Sequence, residues 1–256
     1  MDKQEVRQAV WDALEDRGIA RFPFPPHDRI PNFAGADEAR DRLTETPEWE
    51  SAETVKANPD APQLPVRRAA LRAGKTVYVA QPRLRDPDPF LRLDPAEIDD
   101  VDAATTVSGI SEHGVPTAPE DVAGIDLIVS GSVAVRTDGT RIGKGEGYSD
   151  LEWAVLRELD AVDDGTTVAT TVHELQVVDE TASPADDEEP SPIEDAERLP
   201  EPDRHDVPLD LVVTPERAIR TGSDAERPAG VDWDALDGEK LADIPVLAER
   251  APDTER

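Results

Sequence analysis

The sequence predicts an α/β fold, a mainly parallel sheet flanked by helices on both faces, and three observations carry that expectation. Short β-branched apolar runs recur along the 256 residues, as in TVYVA at 76–80, TTVATTV at 166–172 and LDLVV at 209–213. Segments with apolar residues three and four apart lie between them, the spacing of one helical face. The two kinds alternate, and alternating strands and helices pack as a parallel sheet covered on both sides.

Taken in order, residues 3–17 read as a helix with Val6, Val10, Trp11 and Leu14 on its apolar side and Gly18 as its stop. Residues 21–33, RFPFPPHDRIPNF, carry too much proline for a helix or a central strand. A short helix is expected from Asp37 to Leu43 and another from Pro65 to Arg72, closed by Gly74 before the buried strand 76–80. Residues 125–135 hold one apolar strand or two short ones, followed by a glycine-rich loop and a helix from Leu151 to about Leu159. Leu151, Ala154, Val155 and Leu159 share a face of that helix. Together these elements make a Rossmann-like single domain over residues 1–220. Residues 181–200 are acidic, proline-rich and aperiodic, and read as a mobile surface insertion. The tail, 221–256, is mostly polar, but Val231, Trp233, Leu236, Leu241 and the run Ile244–Leu247 are suited to dock on the domain.

Charge dominates the composition. Asp and Glu number 58 against 27 Lys and Arg, a formal net charge of −31, with aromatics at only 4%. Such a balance fits either a disordered chain or a folded one whose surface is dense in carboxylates; the periodic segments favour the second. Lysines are confined to Lys3, Lys56, Lys75, Lys144 and Lys240. A halophilic source follows as an expectation, because molar salt shortens the Debye length to ~3 Å and screens the self-repulsion. The same charge argues against nucleic acid as a partner, which needs a basic face. Cysteine is absent, so disulfides, thiolate metal sites and cysteine nucleophiles are excluded. The start, MDKQE, has no apolar signal core, and no apolar run approaches the ~20 residues that span a bilayer. A cytoplasmic protein with no membrane association is expected; the oligomeric state stays open.

The feature with most chemistry is RIGKGEGYSD, residues 141–150. Gly143, Gly145 and Gly147 allow positive φ and bring backbone N–H groups close to an anion. The following helix aims its N-terminal dipole at the same place, and Arg141 and Lys144 add full charges. A plain turn between strand and helix explains the glycines equally well, and the spacing matches neither the dinucleotide fingerprint nor the Walker loop.

This loop resembles the RxGxGxGYYD loop of the 5-formyltetrahydrofolate cyclo-ligases, and four further segments resemble that family in chain order. They are Lys3 and Arg7 (KxxxR), Gly74-Lys75 before TVYVA, HELQVV at 173–178, and HDVPLD at 205–210 with VVT at 212–214. Similarity is greatest to the methenyltetrahydrofolate synthetase domain-containing subgroup, through RIPNFAGADEA, VKANPDAPQ, GKGEGYSDLEWA and VDWDALDGEKLADIPVL. The resemblance implies ATP-dependent conversion of 5-formyltetrahydrofolate to 5,10-methenyltetrahydrofolate, with Mg2+ and a small-molecule folate substrate. It implies that Lys3, Arg7, Arg141, Gly143, Lys144, Gly145 and Gly147 cradle phosphates, with Lys144 and Arg141 catalytic, and that Tyr148 lines the ligand pocket. Asp150 and Asp206 match the family's metal carboxylates, oxygen ligands suited to Mg2+; for Asp150 a helix N-cap is the other reading.

Three departures bear on the reaction. Glu146 places a carboxylate inside a phosphate loop, Ser149 replaces a tyrosine, and the family's folate-contacting glutamate has no clean equivalent, Asp60 being nearest by spacing. Two alternatives therefore stand beside turnover: a non-catalytic nucleotide- or folate-binding regulatory protein, and an ATP-dependent ligase acting on a different substrate. His27 and Arg29 read as surface-loop residues, His113 as solvated, His173 as a structural residue on a strand and Trp153 as core.

Overall fold

A computed structural model describes residues 2–178, 200–234, 236 and 238–252, without the side chains of 239–241. The segment 181–200 lies outside the described residues except for Pro200, as does the side chain of Leu241. The central sheet has eight strands in the order Ala218–Arg220, Leu211–Val213, Thr167–Thr171, Leu127–Val129, Thr54–Ala57, Thr76–Ala80, Phe90–Leu93 and Val115–Thr117. The five from Leu211–Val213 to Thr76–Ala80 are parallel; the strands outside them pair antiparallel.

Period-two alternation divides the core into two layers. Val55, Ala57, Val77, Val79, Leu127, Val129, Leu211 and Val213 point to one face and pack on Leu43, Trp49, Val66, Ala70 and Leu71 of three helices, Ala36–Thr44, Pro47–Ser51 and Leu64–Arg72. Tyr78, Ala80, Ile128, Val168 and Val212 point to the other, where they meet Trp153, Ala154, Val155 and Leu156 of the helix Tyr148–Glu158. Val231, Ile244, Val246 and Leu247 of the tail are buried in this second layer, with Trp233 and Leu236 packed against it.

A smaller sheet of Val177–Val178, Ala134–Arg136 and Arg141–Ile142 stands beside the main one. The first helix, Lys3–Asp16, buries Val6, Val10, Trp11 and Leu14 against it. Asp2 caps that helix by accepting from the N–H groups of Gln4 and Glu5, while Glu5 accepts from Asp2 N–H, a reciprocal capping box. With the apolar stripe fixed inward, Lys3 and Arg7, one turn apart, are left at the side that faces the glycine loop.

Strand order reverses between Leu127–Val129 and Thr54–Ala57. From the second of these the chain proceeds toward Thr76–Ala80, and from the first it proceeds the opposite way, through Thr167–Thr171 to Leu211–Val213. The adjacent connections diverge there and leave a crevice at the carboxyl ends of the strands, the usual ligand position in open α/β sheets. Asn58 bridges it, its N–H donating to Val129 O (3.3 Å) and its Oδ1 accepting from Gly131 N–H (3.3 Å).

Candidate functional site

A cavity of about 460 Å³ opens over that crevice, within the ~300–1,000 Å³ range of small-ligand sites. Its wall is the 141–150 loop, and Lys3, Arg7, Arg141, Gly143, Lys144, Gly145, Gly147, Tyr148, Asp150 and Asp206 all line it. Asn58–Asp60, Ala80–Arg83 and Gly131, which follow three neighbouring parallel strands, form the opposite side.

The loop geometry has local causes. Gly145 (φ +105) and Gly147 (φ +73) lie in the left-handed region, where a side chain is strained. A Cβ on Gly145 would also stand 3.2 Å from the Arg7 guanidinium carbon, so glycine is needed for Arg7 to lie over the loop. Arg7 Nε donates to Gly143 O at 2.7 Å and fixes the turn from the first helix. Gly147 is the cap residue of the Tyr148–Glu158 helix and offers no side-chain acceptor, so no side chain caps that end, which faces the cavity. The helix therefore begins three residues earlier than the apolar pattern indicates. Asp150 sits in its first turn and is not its N-cap.

Asp150 instead holds Arg141. Arg141 Nη2 donates to both Asp150 oxygens at 2.7 Å, Nη1 donates to Gly131 O at 3.1 Å, and Val207 N–H reaches Asp150 Oδ1 at 3.1 Å. The two side chains are 6% and 10% exposed, so this is a buried, satisfied ion pair. Burial alone pushes the Arg141 pKa down, but the Asp150 carboxylate outweighs it and the net shift is upward. Both oxygens of Asp150 are thus engaged by Arg141, and Oδ1 also by Val207 N–H.

Lys3 Nζ donates to Asp206 Oδ2 and Asp203 Oδ2, each at 2.8 Å. Asp203, His205 and Asp206 place ligand atoms within 4.8 Å of one another, and Asp206 Oδ1 has His205 Nε2 3.9 Å away. An oxygen-rich group with one carboxylate oxygen not held by Lys3 fits a hard divalent cation at Asp206 better than at Asp150.

Lys144 meets Glu146, Nζ to Oε2 at 2.7 Å, and Arg83 Nη2 approaches Glu146 Oε1 at 3.4 Å. The hydrogen bond from Lys144 holds the Glu146 carboxyl below its ordinary range. Ser149 Oγ accepts from Asn58 Nδ2 at 3.1 Å and joins the loop helix to the crevice.

Two participants, Lys56 and Arg67, escape the sequence, and a third, Asp60, enters it only as the nearest match by spacing to the family's folate-contacting glutamate. Lys56, between two apolar residues of a central strand, forms a buried ion pair with Glu152 of the loop helix, and Glu152 lines the cavity. Arg67, at the centre of its helix, donates to Asn58 O, Asp60 O and Thr105 O and pins the crevice loop, burial pulling its pKa down to about 10. Asp60 lines the cavity, its carboxyl pushed up by burial against the pull of Lys144 and Arg67. The available signal was a lysine inside an apolar strand in a chain with only five.

The minor candidates resolve into structural parts. Lys75 donates to Ala52 O and lies over the Trp49 ring. His27 pairs with Asp12, and His113 is exposed. His173 follows the strand Thr167–Thr171 and accepts from Leu175 N–H as the cap of a 3-10 turn. Trp153 is buried, Nε1 donating to Pro228 O. No helix among the described residues is long and apolar enough to cross a membrane.

Comparison with known proteins agrees with this frame. The model of the 5-formyltetrahydrofolate cyclo-ligase family matches residues 1–215. The methenyltetrahydrofolate synthase domain-containing protein of Mus musculus is 40% identical over 250 residues, which are 96% of this chain and 62% of that protein. Its Homo sapiens counterpart is 36% identical over 250 residues, 96% and 61%. The chain therefore spans about three fifths of the length of these relatives. The solution structure of Aquifex aeolicus 5,10-methenyltetrahydrofolate synthetase superposes with a TM-score of 0.50 at 20% identity, covering 88% of this chain and 95% of that one, a likeness of fold. With the family model spanning 215 of 256 residues, the chain belongs to the 5-formyltetrahydrofolate cyclo-ligase family.

Proposed function

We propose that the protein converts 5-formyltetrahydrofolate to 5,10-methenyltetrahydrofolate at the expense of ATP, with Mg2+. The observation that carries this reading is the convergence of Lys3, Arg7, Arg141, Lys144 and the three loop glycines on one cavity at the sheet's switch point. In a chain of charge −31, four cations gathered beside a glycine loop are a selective place for a polyphosphate, which must compete with Asp206 for Lys3 and with Glu146 for Lys144.

An amide-like formyl oxygen is a poor leaving group, and ATP supplies the phosphoryl group that makes it a good one. The chain's part is alignment and charge dispersal. Arg7 and Lys144 bind phosphate oxygens, joined by the N–H groups of the loop and of the first helical turn. Arg141, held by Asp150, presents a guanidinium of fixed orientation at the cavity wall. Asp206 would hold the divalent cation, which supplies charge neutralisation to the phosphates, and Tyr148 walls the ligand. N10 then closes on the activated formyl carbon, and the former formyl oxygen leaves as part of inorganic phosphate.

The test is incubation with ATP, Mg2+ and 5-formyltetrahydrofolate in concentrated potassium chloride, following the methenyl chromophore. Folded protein that binds MgATP yet gives no chromophore would remove the catalytic claim. A specific observation supports a second reading, a nucleotide- or folate-binding protein without turnover: Glu146 occupies Lys144, the loop's own phosphate-binding ammonium. Ligand-dependent thermal stabilisation with no product selects it.

A further inference from the structure

Beneath the phosphate loop the cavity floor carries a charge pair of a different kind. Lys56 lies on the strand Thr54–Ala57, on the face opposite Val55 and Ala57, so it points at the loop helix. There its ammonium meets Glu152 Oε2, and the side chains are 1% and 6% exposed. Lys56 is the only hydrogen-bond partner of the Glu152 carboxylate among the described residues. Glu152 nevertheless lines the cavity, and its Oε1 is not among the fully occluded, unpartnered atoms. One oxygen of a buried carboxylate is thus anchored, and the other opens onto the ligand space.

The Lys56 ammonium donates to this carboxylate. Such a group accepts hydrogen bonds and donates none. It repels phosphate, so this part of the floor is not where the anion of the loop above lies. What it fits is a ring edge made of N–H donors. A reduced pterin has such an edge, with a ring N–H beside an exocyclic amine, whereas adenine sets its amine beside a ring acceptor.

We propose that Glu152, anchored by Lys56, is the specificity-determining group that reads the 2-amino edge of the substrate's pterin ring; this rests on the folate reading above. Lys56 is then a positioning residue that fixes which oxygen faces the ligand. The substitution Glu152→Gln tests it sharply. Lys56 can only donate, so it holds the amide oxygen and turns the amide NH2 toward the cavity, setting donor against donor.

The full chain is titrated separately with 5-formyltetrahydrofolate, its 2-desamino analogue and MgATP in concentrated potassium chloride. Expected for Glu152→Gln is a loss of about 10–100-fold in folate affinity, the range for a buried donor left unpaired, with MgATP affinity within about twofold of wild type. The 2-desamino analogue should bind wild type about as weakly as the folate binds the variant, and the variant should no longer distinguish the two ligands. Should Glu152→Gln fold poorly, the double variant K56M/E152M replaces the pair by apolar groups, a change buried ion pairs tolerate, and must show the same loss of discrimination. Unchanged folate affinity in either folded variant overturns the inference and leaves the proposed reaction standing. Weakened MgATP with unchanged folate also overturns it. Wild type that binds MgATP but no folate removes the substrate assignment itself, and this inference with it.

Discussion

Glu146→Gln is the substitution that most directly asks what the loop carboxylate does. Glu146 contacts Lys144 at 2.7 Å and Arg83 at 3.4 Å, with the Lys144 and Glu146 side chains 37% and 35% exposed. An ion pair that open contributes about 0.2–1 kcal/mol. A phosphate that recruits Lys144 must first displace Glu146, so removing the charge should return this amount and tighten MgATP about 1.4–5-fold. Relief of repulsion between the carboxylate and the phosphate acts in the same direction. Because Lys144 holds the Glu146 carboxyl below its ordinary range, the side chain is charged throughout neutral pH, and the gain should be flat between about pH 6 and 8. It should shrink as potassium chloride rises toward 1 M, where the Debye length is ~3 Å. Isothermal titration of MgATP into both proteins at low and high salt measures all three quantities. Against K144A, the double variant K144A/E146Q should show only the part of the gain that comes from relieved repulsion, since the rest needs the freed ammonium. Weaker MgATP binding by Glu146→Gln, with binding of metal-free ATP unchanged, would refute the reasoning and make Glu146 a metal ligand.

Asp150→Asn leaves the buried Arg141 guanidinium without its counter-charge, a loss of about 3–5 kcal/mol; at about 2–4 °C per kcal/mol the Tm should fall by roughly 6–20 °C in thermal melts. A change under 2 °C would mean the pair contributes nothing to the fold. Gly145→Ala strains a residue at φ +105 and puts a methyl 3.2 Å from the Arg7 guanidinium, so MgATP should weaken about 5–150-fold, at a cost of about 1–3 kcal/mol; equal affinity by titration would free the loop from this geometry. Acid should unfold the protein. The hydrogen bond from Arg220 lowers the Glu48 pKa, so that contribution is complete above the unfolded value near 4.5 and is lost as pH falls through the folded one. Melts across pH should show the Glu48→Gln variant less acid-sensitive than wild type. Raising potassium chloride from ~0.15 to ~1 M should raise the Tm of a chain of charge −31; a fall would contradict screening as the source of its stability.

Four of the five parallel strands and the longer helices were legible because each carries its own period; the fifth, Thr54–Ala57, was not, since Lys56 interrupts its short apolar run. TVYVA and the Val6–Val10–Leu14 stripe state their partners' direction without naming the partner. The antiparallel strands at one end of the sheet, Phe90–Leu93 and Val115–Thr117, were not legible, since prolines at 87, 89 and 116 and the short length erase the pattern. Short helices such as Val101–Ala104 span too few residues for a period to repeat. The start of the loop helix was misplaced because Ser149 and Asp150 are polar and line the cavity, so they interrupt the apolar stripe that marks a helix in sequence.

By itself the sequence determined an α/β chain, an acidic surface, the absence of thiol chemistry and a glycine loop whose spacing and neighbours resemble one family. These are local properties, written in composition, period and short motifs. Only the tertiary structure decided what each charge touches. Arg141 and Asp150 form a pair, Lys3 sits on Asp206, Glu146 holds Lys144, and Lys56 meets a glutamate 96 positions away. Such pairings depend on which strand face points at which helix and on where strand order reverses. Those are set by packing the whole sheet, and no segment of the chain contains them.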